Sequence, residues 1–410
     1  MNKAVIVSLA CGAENIRVGK LWFYTRKYKE SASFEYDSKW LSHPEKFALE
    51  PALKLTAGSF HTKTGRSLFG AIGDSTPDRW GRALLQRART VQAKANNIIP
   101  TTLSEIDYLL SVSDEARQGA LRFSLPAKEV VFLSPNNVAI PSLMYLPKLL
   151  AATEHFIENN INAVDLKLLL APGSSLGGAR PKASVRELDG SLAIAKFPKK
   201  NDEFNTVRWE AVALTLAKNA GIKVPSWRLV TISERSVLIV KRFDRTGSYR
   251  IPFLSAMSML DAQDNEQHSY LEMAYALAQH GASPTEDMEQ LWRRIVFTVM
   301  ISNTDDHLRN HAFIYERYKG WRLSPAYDIN PTPIHIKPKI LTTAIDFTNT
   351  TASLEIAMEV AKEFRLAKNR ADEIIKEVSS AVQKWRQAAA NLGLTKVECD
   401  YMASAFNQPL

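Results

Sequence analysis

Three polar side chains in the last third of the chain have the types and the spacing that phosphoryl transfer requires. Asp305 and Asn310 lie five positions apart in the polar stretch NTDDHLRN, and Asp328 follows an apolar stretch that could return the chain as a hairpin. A carboxylate can orient an attacking hydroxyl, and an amide oxygen with a second carboxylate can hold Mg²⁺ against phosphates. The pattern therefore indicates Asp305 as the base, and Asn310 and Asp328 as Mg²⁺ ligands.

The residues around Asp305 leave alternatives. Asp306 could face the cleft in its place, but the spacing to Asn310 matches the Asp-x-x-x-x-Asn of known kinases, which favours Asp305. His307 could contact phosphate or brace the loop. His307 and His311 also have helical spacing, yet the sequence around them offers no further clustered Cys or His for a zinc site, so we disfavour metal binding by this pair.

A glycine-rich stretch, GSSLGGARPK, lies upstream of the candidate catalytic loop. Gly173, Gly177 and Gly178 would let backbone N–H groups approach phosphate oxygens, and Arg180 or Lys182 could neutralise their charge. Alone, the stretch could equally be a turn between a helix and a strand. The catalytic-loop candidate downstream favours the phosphate-binding interpretation.

Two further segments have the positions of nucleotide-binding elements. Lys196 lies in the apolar strand-like stretch AIAKFP, as a phosphate-anchoring lysine does, and Glu210 on the next predicted helix could pair with it. Backbone groups of Lys241 and Phe243, in KRFDR, could meet the adenine edge. The sequence does not separate this role of KRFDR from a surface salt-bridge cluster.

Residues 1–124 show short alternating apolar segments, such as IRVGKLWFY and ASFEY, that predict a β-rich unit. Within it we expect a helix over Ser75–Lys94, and a second one from Leu103 with a capping box of Thr102 and Glu105. The unit ends in a predicted edge or returning strand over Gly119–Phe123.

The rest of the chain alternates strands and helices before it becomes mainly helical. We predict these elements: a helical region Leu143–Leu170, a strand Ser191–Phe197, a helix Asn205–Ala220, strands Trp227–Ile232 and Val237–Val240, and helices beyond residue 246 except at 313–345.

This order predicts an α+β chain: a two-lobed protein-kinase-like fold with an additional β-rich N-terminal subdomain and an all-helical C-terminal lobe. The expected parts are 1–124 for the N-terminal subdomain, 125–245 for the lobe with the Gly-rich loop, and 246–410 for the lobe with the catalytic and metal-binding loops.

Composition fits an ordinary soluble globular protein, with 45% hydrophobic and 23% charged residues in 410. No apolar run has membrane-spanning length, and the two cysteines, Cys11 and Cys399, indicate free thiols, so we expect a cytoplasmic protein. The net charge of +9 is spread over small basic clusters. We therefore disfavour direct DNA binding.

Five ordered motifs, GSSLGGARPK, LAIAKF, LIVKRFDR, NTDDHLRN and SPAYDINP, make the chain resemble the HipA family of serine/threonine kinases, the toxins of toxin–antitoxin pairs. The N-terminal IRVGKLWF, FGAIGDSTPDRWGR and GALRF resemble that family's N-terminal subdomain. The resemblance implies a kinase that uses ATP and Mg²⁺, with Asp305 catalytic and Asn310 and Asp328 as metal ligands. The remaining residues that it implies for ATP are Gly177, Gly178, Ala179, Arg180, Lys182, Lys196, Lys241, Phe243, His307 and Tyr327.

The same resemblance implies regulation and partners. Ser175 falls on the serine that family members autophosphorylate, which ejects the Gly-rich loop, and its neighbour Ser174 is a second candidate. The implied partners are a protein substrate, for which an aminoacyl-tRNA synthetase is one candidate, and a HipB-like helix-turn-helix antitoxin. DNA would be bound only through that antitoxin.

The match has departures, and rival functions stay open. Arg180 and Pro181 stiffen the Gly-rich loop, and GDSTPDRWGR is more polar than the usual version, which puts regulation in doubt more than the reaction. One rival is a small-molecule kinase on a related scaffold. The other is a catalytically silent co-repressor that acts with a DNA-binding antitoxin, although Asp305, Asn310, Asp328 and Lys196 argue against silence.

Overall fold

The computed structural model describes residues 3–12, 14–26, 29–127, 131–132, 139–173 and 178–406. The chain combines helices and sheets, as predicted, and divides into two compact units. The first unit comprises Met1–Lys200 and Ile232–Leu254, and the second comprises Asn201–Thr231 and Ser255–Leu410. The predicted division into three parts at residues 124 and 245 stays a prediction.

The first unit begins with a five-stranded sheet of strand order β4-β3-β2-β1-β5. Alternating side chains of its long strands are buried, as the sequence pattern requires. The predicted returning strand is confirmed, because β5 pairs antiparallel with β1 at the sheet edge. The strands are β1 (Lys3–Cys11), β2 (Glu14–Arg26), β3 (Lys29–Tyr36), β4 (Ser59–His61) and β5 (Leu121–Ser124).

The helices of the first unit begin and end at residues that differ from the predictions. These helices are α1 (Ser38–Leu41), α2 (Gly70–Gly73), α3 (Arg79–Ala95), α4 (Glu105–Ser111), α5 (Leu146–Ile157) and α6 (Ala163–Gly173). α3 starts late because the Asp78 side chain caps it. The capping box of α4 is formed by Ser104 and Asp107, so the predicted box was wrong. The helical region predicted as continuous is two helices, because the chain leaves the helical conformation at Asn159, where φ is 58°.

A second, four-stranded sheet follows, of which three strands lie in the first unit. Its strands are β6 (Lys182–Arg186), β7 (Leu192–Lys196), β8 (Trp227–Ile232) and β9 (Arg235–Lys241), and β8 ends at the boundary of the units. β7 pairs antiparallel with both β6 and β9. The helix α7 (Thr206–Asn219) belongs to the second unit, and its cap residues Asn205 and Ala220 are the ends that the sequence predicted.

Short strands replace the helix expected directly after residue 246. β10 (Arg245–Thr246) and β11 (Tyr249–Arg250) form a hairpin, and β12 (Phe253–Ser255) follows. Gly247 at φ 58° makes this tight turn possible, so the sequence-based helix was wrong here.

The second unit is mainly helical. Its further helices are α8 (Ala256–Met259), α9 (Tyr270–His280), α10 (Pro284–Met300), α11 (Leu354–Glu359), α12 (Lys368–Val382), α13 (Trp385–Asn391) and α14 (Lys396–Phe406). The predicted hairpin after Asn310 is confirmed by β13 (Ala312–Glu316) and β14 (Gly320–Leu323), so this lobe is not entirely helical. No helix among the described ranges is both long enough and apolar enough to cross a bilayer.

Candidate functional site

The candidate catalytic loop follows the end of α10 and is held by backbone hydrogen bonds. Ser302 takes φ 51° and turns the chain out of the helix. The backbone N–H and the hydroxyl of Thr342 both donate to the carbonyl oxygen of Thr304, at 3.2 Å and 2.9 Å. The loop is therefore fixed immediately before Asp305.

The two adjacent aspartates of this loop have opposite environments. The side chain of Asp305 is 66% exposed, whereas that of Asp306 is 7% exposed. One carboxylate oxygen of Asp306 accepts hydrogen bonds from Tyr270 Oη at 2.5 Å and Thr298 Oγ1 at 3.3 Å, and lies 3.0 Å from His311 Nε2. Asp306 is thus a structural anchor, and Asp305 has the exposure that a base for an external hydroxyl needs.

The pKa values of this buried cluster follow from its charges. Burial alone would raise the pKa of Asp306. The charge of His311, its hydrogen bond and the hydrogen bond from Tyr270 act in the opposite direction and are stronger, so the pKa lies below its ordinary value. Burial, followed by the negative charge of Asp306, raises the pKa of Tyr270 well above its ordinary value. Asp306 therefore stays a carboxylate and Tyr270 stays a hydroxyl donor at neutral pH.

Asn310 is buried at the end of the same loop, and its orientation is fixed. Its side-chain nitrogen donates to the carbonyl oxygen of Asp305 at 3.1 Å, and its backbone N–H donates to the carbonyl oxygen of His307 at 2.8 Å. Since the donor end of the amide is used in this way, its oxygen is the end that can take a cation.

Asp328 lies beside the segment that carries Asn310. The Tyr327 hydroxyl donates to the carbonyl oxygen of Arg309 at 2.8 Å, so the residues that precede the two candidate ligands are hydrogen-bonded to each other. Asp328 itself has φ 56°, a conformation that an aspartate adopts at some cost, and Asn330 Nδ2 lies 3.4 Å from its Oδ1. The fold thus maintains a strained backbone at a predicted metal ligand.

The donor set fits Mg²⁺, which prefers hard oxygen ligands and keeps open positions for phosphate and water. In the part of the chain that the structure describes, no three His, Cys, Asp or Glu side chains are grouped to hold a metal. Asn310 and Asp328 would therefore supply a small oxygen set, which is the kind of site that a phosphate-bound Mg²⁺ uses. The roles of both residues stay predictions.

The two histidines of the loop are both closely packed. His311 Nε2 faces Asp306, and the backbone N–H of His307 donates to the carbonyl oxygen of Asp305 at 2.9 Å. The Nδ1 atoms of His307 and His311 are buried and have no hydrogen-bond partner among the described residues. His307 thus takes part in the loop's own turn, which is consistent with bracing, and its contact with ATP stays a prediction.

In the first unit, the end of the Gly-rich stretch is docked on the start of α3. Gly178 has φ 99°, and its carbonyl oxygen accepts from the Trp80 backbone N–H at 3.4 Å. Trp80 Nε1 donates to the carbonyl oxygen of Lys182 at 3.0 Å, and Lys182 Nζ lies 3.2 Å from Asp78 Oδ2 with both side chains buried. Lys182 thus meets a carboxylate of the protein, and its role at a phosphate stays a prediction.

Only some of the other residues predicted in this loop are among the described residues. Ser174, Ser175 and Gly177 lie outside the described residues. Ala179 is exposed and Arg180 is half-buried. Self-phosphorylation at Ser175 or Ser174 therefore stays a prediction.

Lys196 lies at the end of β7, opposite Lys182 in β6 and Leu238 in β9. Its side chain is half-buried, and its neighbours Ala195 and Phe197 are fully buried. Glu210 is buried on α7, in the second unit. The pairing of Lys196 with Glu210 stays a prediction.

The KRFDR segment is not a surface salt-bridge cluster. Arg242 and Asp244 are buried and form a two-point ion pair at 2.8 Å and 2.6 Å. The same Asp244 carboxylate accepts from the Gly119 backbone N–H at 2.8 Å, and Arg242 donates to the carbonyl oxygen of Ala116 at 2.6 Å. Burial raises the pKa of Asp244, but the positive charges of Arg242 and Arg245 outweigh it and lower the pKa.

Lys241 and Phe243 lie on either side of the buried Arg242 in the chain. Lys241 is exposed and lies 3.5 Å from Asp189, and Phe243 is half-buried with its ring centroid 6.4 Å from that of Phe253. Arg242 and Asp244, which adjoin these two residues in the chain, thus anchor the segment. Their adenine contacts stay predictions.

Sequence reasoning missed several positioning residues. Tyr270, on α9, and Thr298, eight residues before Asp306 on α10, hold Asp306, and nothing in their local sequence signals this role. Asp78 and Trp80 lie in the motif GDSTPDRWGR, which was singled out without a role. Lys337 Nζ, 3.4 Å from Asp305 Oδ1, was also not foreseen.

Comparisons with known proteins match both the N-terminal and the C-terminal parts of this chain. A family model described as the HipA-like C-terminal domain matches residues 174–385, and one described as the HipA N-terminal domain matches residues 10–101. "Putative kinase Y4mE" of Sinorhizobium fredii is 23% identical over 397 residues, which cover 87% of this chain and 84% of that protein.

Two other curated relatives match shorter parts. A "Putative kinase" of Haemophilus influenzae is 29% identical over 30% of this chain and 41% of its own length. "Putative kinase Y4dM" of Sinorhizobium fredii is 30% identical over 34% of this chain and 37% of its own length. The chain thus spans about two fifths of these two relatives.

A solved structure shows the fold. HipA of Shewanella oneidensis MR-1, in a toxin–antitoxin complex with HipB and operator DNA, superposes with a TM-score of 0.65 at 16% identity. The superposition covers 98% of this chain and 95% of that one.

Proposed function

This chain belongs to the HipA family, and we propose that it is a Mg–ATP-dependent serine/threonine protein kinase that acts as a HipA-type toxin. The relatives that are named as kinases support the general activity. The specific reaction rests on the residues of this chain.

One observation carries the proposal: Asp305 is exposed, whereas Asp306 and Asn310 of the same loop are held by hydrogen bonds. Asp306 is anchored by Tyr270 and His311, and Asn310 is bonded to the Asp305 backbone. Such a loop holds one carboxylate in place for an outside hydroxyl without local rearrangement. Preorganisation of this kind supplies much of the catalysis in phosphoryl transfer.

In the proposed reaction, Asp305, Asn310 and Asp328 have different roles. Asp305 orients the hydroxyl of a serine or threonine and takes its proton. The hydroxyl oxygen bonds to the γ-phosphorus, and the bond from that phosphorus to the bridging oxygen breaks with its electron pair leaving on ADP. Asn310 and Asp328 would hold Mg²⁺, which neutralises phosphate charge when bound.

The first-unit residues are assigned to nucleotide binding. Lys196 anchors phosphate, and the Gly-rich loop cradles it through backbone N–H groups. The backbone of Lys241 and Phe243 meets the adenine, and the buried Arg242–Asp244 pair supports that assignment because it holds this backbone rigid. Tyr327 and His307 complete the set of proposed ATP contacts.

Regulation and partners are part of the same proposal. Phosphate transferred to Ser175, or to Ser174, would add negative charge to the Gly-rich loop and repel ATP. A HipB-like helix-turn-helix antitoxin is the proposed partner, supported by the complex in which the Shewanella oneidensis HipA was solved. The protein target is open, with an aminoacyl-tRNA synthetase as one candidate, and the proposed compartment is the cytoplasm.

The test is incubation of the purified protein with γ-labelled ATP, Mg²⁺ and a bacterial lysate, followed by identification of phosphopeptides. We expect label on serine or threonine of a protein. Label found only on a metabolite would make the chain a small-molecule kinase. ATP binding without any transfer would make it a silent binding module.

A further inference from the structure

One face of the helix α10 carries three buried polar side chains, which are those of Asp287, Arg294 and Thr298. Positions 287, 294 and 298 lie on one face because seven residues of a helix make about two turns and four make about one. Asp287 accepts from the Leu323 backbone N–H at 3.0 Å, and Thr298 Oγ1 donates to Asp306 at 3.3 Å. This face of α10 therefore contacts both the catalytic loop and the end of β14.

Arg294 lies in the middle of this face and binds the segment that leads to Asp328. Its Nη2 donates to the carbonyl oxygen of Ser324, and the Ser324 N–H donates to the carbonyl oxygen of Ala312 at 2.9 Å. In the chain, Ala312 closely follows Asn310, and Ser324 closely precedes Asp328. Arg294 thus holds the start of one ligand-bearing segment where that segment is also bonded to the other.

The charge of Arg294 acts on the catalytic loop as well. The residue is 4% exposed, and its Nε and Nη1 have no hydrogen-bond partner among the described residues. Burial lowers its pKa to about 10, and the charge of Asp306 opposes this most, followed by those of Asp287 and Tyr327. Arg294 therefore stays a cation at neutral pH, and the carboxylate of Asp306 is the main charge that compensates it.

We propose that Arg294 is a positioning residue that sets the separation of Asn310 and Asp328, the proposed Mg²⁺ ligands. This inference rests on the proposed kinase function. Loss of the guanidinium releases the Ser324 carbonyl and removes a positive charge near Asp306, so both segments lose a restraint. Because Mg²⁺ requires near-ideal octahedral geometry, a small change in the separation of its ligands weakens its binding.

The first test is calorimetric titration of the full-length protein with ATP, with and without Mg²⁺. Arg294→Met removes the charge and the donors but keeps a long side chain. It should weaken ATP binding by about tenfold or more in the presence of Mg²⁺, as the loss of groups that orient metal ligands does. The affinity without metal should stay at the wild-type value, because the proposed adenine contacts lie on another segment.

The matched control is Arg293→Met. Arg293 precedes Arg294 on α10, is also 4% exposed, and also has a buried Nε without a partner among the described residues. It faces other elements, since it donates to the carbonyl oxygen of Ala220 at 2.9 Å and pairs with Glu377. Arg293→Met should therefore lower the free energy of unfolding and keep both wild-type ATP affinities.

A second variant covers the case in which Arg294→Met does not fold. Arg294→Lys keeps the buried positive charge, but its ammonium is a point charge and lacks the planar fork of donors of a guanidinium. It should lose ATP affinity only in the presence of Mg²⁺, and by a smaller factor than Arg294→Met.

Amide hydrogen exchange without nucleotide or metal gives a second readout. Exchange in Arg294→Met, or in Arg294→Lys in its place, should be faster than in the wild type in two peptides, 303–312 and 324–330. In Arg293→Met both peptides should exchange at the wild-type rate, and the faster exchange should lie near Ala220 and Glu377.

The outcomes separate this inference from the function on which it rests. An unchanged affinity for Mg²⁺-bound ATP in the Arg294 variants, an equal loss with and without metal, or faster exchange in only one of the two peptides overturns the positioning role and leaves the kinase. Absence of ATP binding and of phosphate transfer in the wild type overturns the proposed function, and the inference with it. The exchange measurement needs no nucleotide and keeps the two failures distinct.

Discussion

Asp305 and Asp306 are adjacent in the chain, yet the first side chain is 66% exposed and the second is 7% exposed and bound to Tyr270 and His311. One carboxylate is available to a substrate, and the other holds the loop that presents it. The difference arises from Tyr270, on α9, and from His311, beside the start of β13.

Asp306→Asn should destabilise the protein by about 3 kcal/mol, because it leaves the buried His311 without its charged partner. Urea unfolding followed by tryptophan fluorescence measures this. Asp400→Asn, which changes an exposed pair with Arg386, is the control and should stay close to wild type. A wild-type unfolding midpoint for Asp306→Asn would remove its role as an anchor.

Asp328→Asn should weaken ATP binding in the presence of Mg²⁺ more than in its absence, since a charged metal ligand is lost and the other ATP contacts remain. Calorimetric titration with and without Mg²⁺ gives the two affinities. We expect a loss of about tenfold or more with the metal. Equal losses under the two conditions would make Asp328 structural.

Asp244→Asn should weaken ATP binding equally with and without Mg²⁺, because it loosens the backbone of Lys241 and Phe243 rather than a metal ligand. It should also lower the free energy of unfolding by about 3 kcal/mol, since Arg242 loses a buried partner. Glu158→Gln, in the exposed pair with Lys200, is the control and should change neither quantity. Unaltered ATP affinity in a destabilised Asp244→Asn protein would separate the network from nucleotide binding.

The titration of Asp78 makes the free energy of unfolding depend on pH, and the sign of this dependence follows from its pKa. Burial, opposed by Lys182, raises its pKa from the ordinary 3.8 to about 6. Because the folded pKa lies above the unfolded one, the folded state takes up a proton between about pH 4 and 6, and this group stabilises the fold as pH falls through that window.

The Asp78→Asn variant removes this titration. Its free energy of unfolding relative to wild type should therefore increase by about 2–3 kcal/mol between pH 4 and pH 7. Urea unfolding of both proteins at several pH values measures the difference. A constant or decreasing difference would mean that Asp78 does not titrate in this range.

Local sequence patterns predicted much of the fold, and distant contacts account for the rest. β8 and α7 match their predicted ends because the aromatic and β-branched residues of β8 and the Asn205 cap of α7 are local signals. The strands β10 and β11 were missed because their hairpin depends on a single glycine, Gly247, in a sequence without a long alternating pattern.

The candidate site shows the same division. The spacing between Asp305 and Asn310 was readable because both lie in one loop. Which of two neighbouring aspartates is buried depends on Tyr270, which is 36 residues away from Asp306. The burial of Arg242 and Asp244 likewise depends on Ala116 and Gly119, more than a hundred residues earlier in the chain.

The most direct test of the central claim is the rate of phosphate transfer from γ-labelled ATP to protein by the wild type, Asp305→Asn and Asp400→Asn. Asp305→Asn should keep the wild-type unfolding midpoint and lose on the order of 10²–10⁴ in rate, since an exposed base contributes to chemistry and little to packing. Asp400→Asn should transfer phosphate at the wild-type rate. Full activity of Asp305→Asn would contradict the assignment of this carboxylate as the base.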